Sequence, residues 1–287
     1  MSKKHIRKGT LHAVGDSAGR IGTGAQSRFA SKLSGYNPIT GASSGIGRVF
    51  ARHYASQGCR LILTARRGDQ LEKLAALLGC PCRILPADLS DPAQWDTLCA
   101  ALETERIDGF INNAGFGLCG AFTETDPAVE QEMLQVNVGA LQRLMKFVLG
   151  KMQAQGSGFI LNVASCAGLM PGGPYMAVYY ATKAYVVSLT RAVAQELREQ
   201  HSPVKVFALC PGPVDTGFNR RANVVFALPG ISAGHCVAEA LRGMRQGRLI
   251  IVPSAGVQLL CTAQKWVPMP VLMPIIARQQ KKKLPRS

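Results

Sequence analysis

Thr40-Gly41-Ala42-Ser43-Ser44-Gly45-Ile46-Gly47 stands where a short apolar stretch hands over to a helical pattern near residues 45–57. Glycines at such a junction permit a tight turn and let the backbone approach a pyrophosphate, whose charge then meets the amide end of the helix. Thr40, Gly41, Ser43, Ser44, Gly45, Ile46 and Gly47 are therefore candidate cofactor contacts. Ordinary loops use the same residues, so the turn gains meaning only from its surroundings.

About twenty residues on, a dinucleotide site should disclose its ribose preference. An acid there accepts the 2′-hydroxyl of NAD, whereas an arginine accommodates the 2′-phosphate of NADP. The chain reads Leu61-Ile62-Leu63-Thr64-Ala65-Arg66-Arg67, with no acid before Asp69. Arg66 is the candidate phosphate ligand because a guanidinium can bind phosphate through two hydrogen bonds. Arg48 and Arg67 are candidate helpers, although Arg67 reads better as a solvated charge. NADP is expected ahead of NAD.

Farther out, short apolar runs alternate with amphipathic segments. Strands are expected at Cys59–Thr64, Cys82–Pro86, Ile107–Ile111, Phe159–Ala164, Val204–Leu209 and Leu249–Val252, with helices near 45–57, 69–78, 91–104, 127–154, 176–200 and 232–246. Thr125-Asp126-Pro127 supplies a helix start, a capping side chain followed by proline in the first turn. This β-α alternation predicts an α/β fold, a parallel sheet covered by helices on both faces. No internal repeat or linker divides residues 37–253. Residues 1–36 are expected to be a disordered basic extension, and 254–287 an apolar segment ending in a basic tail.

Two clusters carry chemistry. In Tyr179-Tyr180-Ala181-Thr182-Lys183 the phenol and the amine are four residues apart and share one helix face, from which Tyr180 points away. A phenol is a weak acid near neutrality, and a nearby ammonium is expected to lower its pKa into the working range. Leu161-Asn162-Val163-Ala164-Ser165 is an apolar strand ending in a hydroxyl, at the sheet edge where α/β folds bind ligands. Taken singly, the Tyr–Lys spacing is common by chance and Ser165 reads as a turn starter.

Together these features resemble the short-chain dehydrogenase/reductase family in its compact single-domain branch, from about residue 38 to 253. The glycine turn has that branch's T-G-x-x-x-G-x-G form, and the other motifs follow in order. The resemblance implies a Rossmann-like, doubly wound parallel sheet in three layers forming a single domain. It places Asp88 and Leu89 at the adenine, and Asn113, Ala114 and Gly115, within Asn112-Asn113-Ala114-Gly115, beside the cofactor. Pro211, Gly212, Val214 and Thr216 fall in the segment that receives the nicotinamide. Tyr179 would be the proton donor, Ser165 the group that holds the substrate oxygen, Lys183 the ligand of the nicotinamide ribose, and Asn137 the support of a relay water. Two departures stand out. Pro38, in Gly35-Tyr36-Asn37-Pro38-Ile39, cannot donate a sheet hydrogen bond and is expected to shorten or strain the first strand. Ala164-Ser165 replaces the family's frequent pair of serines but keeps the catalytic hydroxyl.

The net charge of +16 on 287 residues needs placing before nucleic acid is considered. Residues 1–36 carry +6 and residues 278–287 carry +5, leaving +5 for the 241 between. A nucleic-acid face would need its cations on ordered elements, so no nucleic-acid partner is expected. Basic tails instead provide solubility or a weak attraction to anionic membranes. Nine scattered cysteines without metal-ligand spacing read as reduced thiols, which suits the cytoplasm. The apolar stretch Leu249–Ala277 is broken by Pro253, Pro268, Pro270 and Pro274. It reads first as a flap over the substrate pocket and second as a peripheral membrane contact. A lid is expected within 213–230, where Phe218, Val224, Val225, Phe226 and Leu228 cluster with Met170, Pro171 and Met176 nearby. The expected substrate is a hydrophobic carbonyl or alcohol, lipid-like or steroid-like. The family implies a homodimer or homotetramer. The competing readings are a non-catalytic NADP(H) sensor or scaffold of the same fold, and a reductase of acyl groups on an acidic carrier protein.

Overall fold

The computed structural model describes residues 34–216, 230–282 and 284. The expected extension up to residue 33 and nearly all of the expected lid, including its five large apolar residues, lie outside them.

Strands β1 (Tyr36–Thr40), β2 (Arg60–Thr64), β3 (Cys82–Ile84), β4 (Gly109–Asn112), β5 (Phe159–Val163), β6 (Lys205–Leu209) and β9 (Ile250–Ile251) form one parallel sheet. Its order is β3-β2-β1-β4-β5-β6-β9. The chain winds one way from β1 to β3 and the other way from β4 to β9, so the crevice at the switch point opens between the C-terminal ends of β1 and β4. The α/β architecture read from the alternation is the one observed. A second, two-stranded sheet of β7 (Val214–Asp215) and β8 (Ile231–Ser232) was not anticipated, since two-residue strands have no pattern of their own.

Side chains along each strand alternate between two cores. Leu61, Leu63, Leu161 and Phe207 face helices α1 (Gly45–Ser56), α2 (Gly68–Leu78) and α7 (Ala233–Arg245), where Phe50, Leu71 and Val237 are buried with them. Ile62, Phe110, Ile160 and Val206 face α3 (Pro92–Leu102), α5 (Leu141–Gln155) and α6 (Ala177–Glu199), packing on Leu98, Val148 and Leu197. Both faces are dry, which explains why the strands read as unbroken apolar runs.

Tyr36 belongs to the fold rather than to the extension, because β1 begins there. Pro38 does not shorten the strand, which pairs with β2 over all five residues. Tyr36 makes its backbone bonds towards β4, donating to Arg106 at 2.8 Å and accepting from Asp108 at 3.0 Å. Alternation places Pro38 on that same side. The carbonyl it would otherwise meet, that of Asp108, instead accepts from the Phe159 N–H at 3.2 Å. The missing donor therefore leaves no orphaned acceptor.

The single helix expected over 127–154 is three segments. Helix α4 (Pro127–Leu134) passes through a π-helical turn (Gln135–Ala140) into α5. Gly139 lies in that turn, where a Cβ would come within 2.4 Å of the Trp95 ring. Beyond β9 the apolar stretch folds as two successive helices, α8 (Ala255–Ala263) and α9 (Met269–Lys281), with Pro274 inside the second. All nine cysteines are free thiols.

Candidate active site

A cleft of about 760 Å³ runs along the C-terminal edge of the sheet. Its floor includes Gly41, Ser43, Ser44, Gly45 and Ile46 from the β1–α1 turn. Gly41 and Gly45 have φ of +63° and +53°, a left-handed backbone that favours glycine. Ser44 caps α1 without a side-chain hydrogen bond to the helix, and no acid lies in the first turn. The amide end of α1 is thus left to an anion, which fits a dinucleotide pyrophosphate.

Thr40 and Gly47 do not line the cleft; they build its wall. The Thr40 hydroxyl accepts from the N–H groups of Asn113 and Ala114 at 2.9 and 3.0 Å. Asn113 Nδ2 donates back to the Thr40 carbonyl at 2.9 Å. This lock joins the ends of β1 and β4. Gly47 permits the closest approach, since a Cβ there would lie 2.5 Å from the Gly41 carbonyl oxygen.

Arg66 and Arg67 both line the cleft, as do Asp88, Leu89, Ala114 and Gly115. Arg48 does not, and its Nε is buried without a hydrogen-bond partner. The Asp88 carboxylate accepts from the Ser90 N–H and hydroxyl at 3.0 and 2.8 Å, which rigidifies the loop after β3.

At the other end the cleft gathers Ser165, Tyr179, Lys183, Pro211, Gly212, Val214 and Thr216. Ser165 stands two residues beyond β5 and caps a short 3₁₀ turn (Cys166–Leu169), accepting from the Ala167 N–H at 3.1 Å. Tyr179 and Lys183 stand one turn apart on α6 and are both buried. The Tyr179 phenol hydrogen-bonds Ser165, which favours the phenolate, but burial outweighs this and holds the pKa well above the ordinary tyrosine value. The expected lowering by the ammonium is therefore not present in this geometry. Lys183 Nζ lies 5.9 Å from the Tyr179 ring centroid and donates to the Val163 carbonyl at 3.0 Å. Burial brings the lysine itself down to about 8.

Asn137 sits in the π turn, fully buried. Its Oδ1 accepts from the Phe116 N–H at 3.0 Å, and its Nδ2 donates to the Phe116 carbonyl at 2.8 Å and the Thr182 hydroxyl at 3.1 Å. The side chain thus ties the loop after β4 to α6 and does not line the cleft.

Some lining residues were missed. Tyr180 also faces the cleft, and its hydroxyl accepts from Gln280 Nε2 on α9. Glu132, Val136, Phe116 and Cys166 line it as well, together with Met176, which was expected near the lid. Glu132 and Val136 are four apart, so helical spacing could have placed them on one face. The contact from Gln280, a hundred residues away, has no local signal.

Against known proteins, residues 38–224 match the model of the short chain dehydrogenase family. An uncharacterized oxidoreductase of Staphylococcus epidermidis is 33% identical over 180 residues, 62% of this chain and 77% of that one. A solved short-chain dehydrogenase from Sphingobium yanoikuyae, in complex with NADPH, superposes with a TM-score of 0.74 at 32% identity, over 83% of this chain and 95% of that one. A short-chain dehydrogenase/reductase from Burkholderia phymatum, in complex with NAD, gives 0.73 at 27% identity, over 81% and 93%. The chain belongs to the short-chain dehydrogenase/reductase family and is an NAD(P)-dependent oxidoreductase.

Proposed function

We propose that this enzyme transfers hydride between NADP(H) and a hydrophobic carbonyl or alcohol. The observation that carries it is the hydrogen bond between the Tyr179 phenol and Ser165 inside the cleft, with Lys183 one turn away. When bound, the nicotinamide supplies or accepts the hydride. Ser165 holds the substrate oxygen where charge develops. Tyr179 donates its proton to that oxygen in reduction and takes it back in oxidation. Lys183 holds the nicotinamide ribose, and Asn137 supports the proton relay by fixing the loop at Phe116. The nucleotides bound by the two solved relatives differ, so the preference for NADP rests on Arg66, with Arg67 beside it.

Phe116, Val136, Met176 and Tyr180 make an apolar substrate end, suited to a lipid-like or steroid-like ketone or aldehyde. We propose a homodimer or homotetramer, as the family implies, acting in the cytoplasm or at a membrane face. Turnover of a panel of hydrophobic ketones and aldehydes with NADPH and NADH tests the reading. Oxidation of NADPH, faster than of NADH, is expected. Nucleotide binding without turnover of any carbonyl would leave a sensor or scaffold in its place.

A further inference from the structure

We propose that the exposed turn between α8 and α9, with the outer face of α9, docks on an anionic phospholipid surface. From Lys265 to Val271 every residue is exposed, and six of the seven are apolar, including Trp266 at 87% exposure. Of the eleven large hydrophobic side chains exposed among the described residues, seven fall between Leu259 and Ile275. An ordinary surface helix turns charge outward, and so dense an apolar patch marks an interaction site.

The inner face of α9 is already taken. Leu272 and Ile276 are buried, Gln280 bonds Tyr180, and Leu284 packs on the cluster around Met176 and Tyr179. The helix is therefore held to the catalytic wall on one side and bare on the other. Pro268 and Pro270 shape the turn between the two helices and keep its apolar residues outward.

Charge selects the occupant. Residues 254–287 contain six cations and no acid. Lys265 is exposed in the apolar tip, and Arg278, Lys281 and Lys282 are exposed at the C-terminal end of α9. Cations flanking an apolar face complement anionic headgroups. A second copy of the chain would instead oppose one cationic segment to another. No helix among the described residues is long and apolar enough to cross a membrane, so this segment lies in the interface with Trp266 at headgroup depth. If the substrate is hydrophobic, as proposed above, α9 also brings the cleft wall next to the lipid that holds it. Docking itself does not depend on that reading.

The test uses the full chain and vesicles of phosphatidylcholine, alone or with roughly one-third phosphatidylglycerol. Co-sedimentation with the anionic vesicles, falling with salt, is expected. So is a blue shift of tryptophan emission that Trp266→Phe abolishes. Trp266→Asp with Met269→Asp, and separately Lys265→Gln with Lys281→Gln and Lys282→Gln, should each weaken binding by about tenfold, with circular dichroism confirming the fold. Absence of binding and of the shift by the unmodified chain would overturn the proposal. So would variants that bind equally well, or an aspartate pair that splits an oligomer in light scattering while vesicle binding is unchanged. None of these readouts involves turnover, so failure here is separable from failure of the catalytic assignment.

Discussion

The Lys183 ammonium donates to the Val163 carbonyl at 3.0 Å, which anchors it to the end of β5 rather than to the phenol one turn before it. The same burial that allows this contact depresses the lysine to about 8. A folded pKa below the unfolded one, about 10.4, means that the unfolded chain holds more protons between those values. Stability contributed by this group therefore rises with pH across that window. Chemical denaturation of the nucleotide-free protein and of Lys183→Met, compared from pH 7 to 10.5, should show the wild type gaining on the variant by about 3 kcal/mol. A pH-independent difference would contradict the assignment.

Tyr179→Phe removes the proposed proton donor and leaves the packing nearly intact. Turnover should fall by at least about a thousandfold, while NADPH titrated by fluorescence binds almost as before. Substantial activity in the variant would mean that another group supplies the proton.

Arg66→Ala should raise KM for NADPH by about ten- to hundredfold, the value of a lost charge-assisted contact. KM for NADH should change little. Equal effects on both nucleotides would show that Arg66 acts on the fold or on the shared pyrophosphate.

Thr40→Val keeps the shape of a buried residue and deletes the acceptor for two N–H groups. Thermal and urea denaturation should show a loss of about 2–4 kcal/mol. Nucleotide affinity should fall with it, because the β1 and β4 loops are then joined only through Asn113 Nδ2 and the carbonyls of residues 40 and 41.

Two glycines should respond with opposite sign. Gly47→Ala puts a Cβ against the Gly41 carbonyl and the Asn113 amide, so the melting temperature and nucleotide binding should both drop. Gly150 lies inside α5 with open space where a Cβ would go. Gly150→Ala should stabilise by about 0.5–1 kcal/mol, since alanine loses less backbone entropy in a helix.

Much of the site was legible because its parts are local. The glycine turn, Arg66 after β2, Ser165 just beyond β5 and the Tyr179–Lys183 pair each fit within one turn or one strand end, where spacing sets direction. Less legible were groups whose partners lie far away. Asn137 reads as one more helical residue, yet the π turn and Phe116 determine what its side chain holds. Thr40 was read as a cofactor contact, but its hydroxyl is committed to Asn113 and Ala114, 73 and 74 residues on. Pro38 looked damaging because a sequence does not show where a neighbouring carbonyl turns.

From its residues alone this chain specifies a parallel α/β sheet with a nucleotide turn and an arginine, Arg66, placed to meet a phosphate. Periodicity and short motifs suffice for that because strands, turns and helix faces repeat over a few residues. Tertiary packing decided the rest: the burial that raises Tyr179 and lowers Lys183, the loop lock at Thr40, and the α9 helix that meets Tyr180 through Gln280 while Trp266 just before it is left bare. Dielectric environment and exposure depend on which distant segments meet, and no local pattern encodes that meeting.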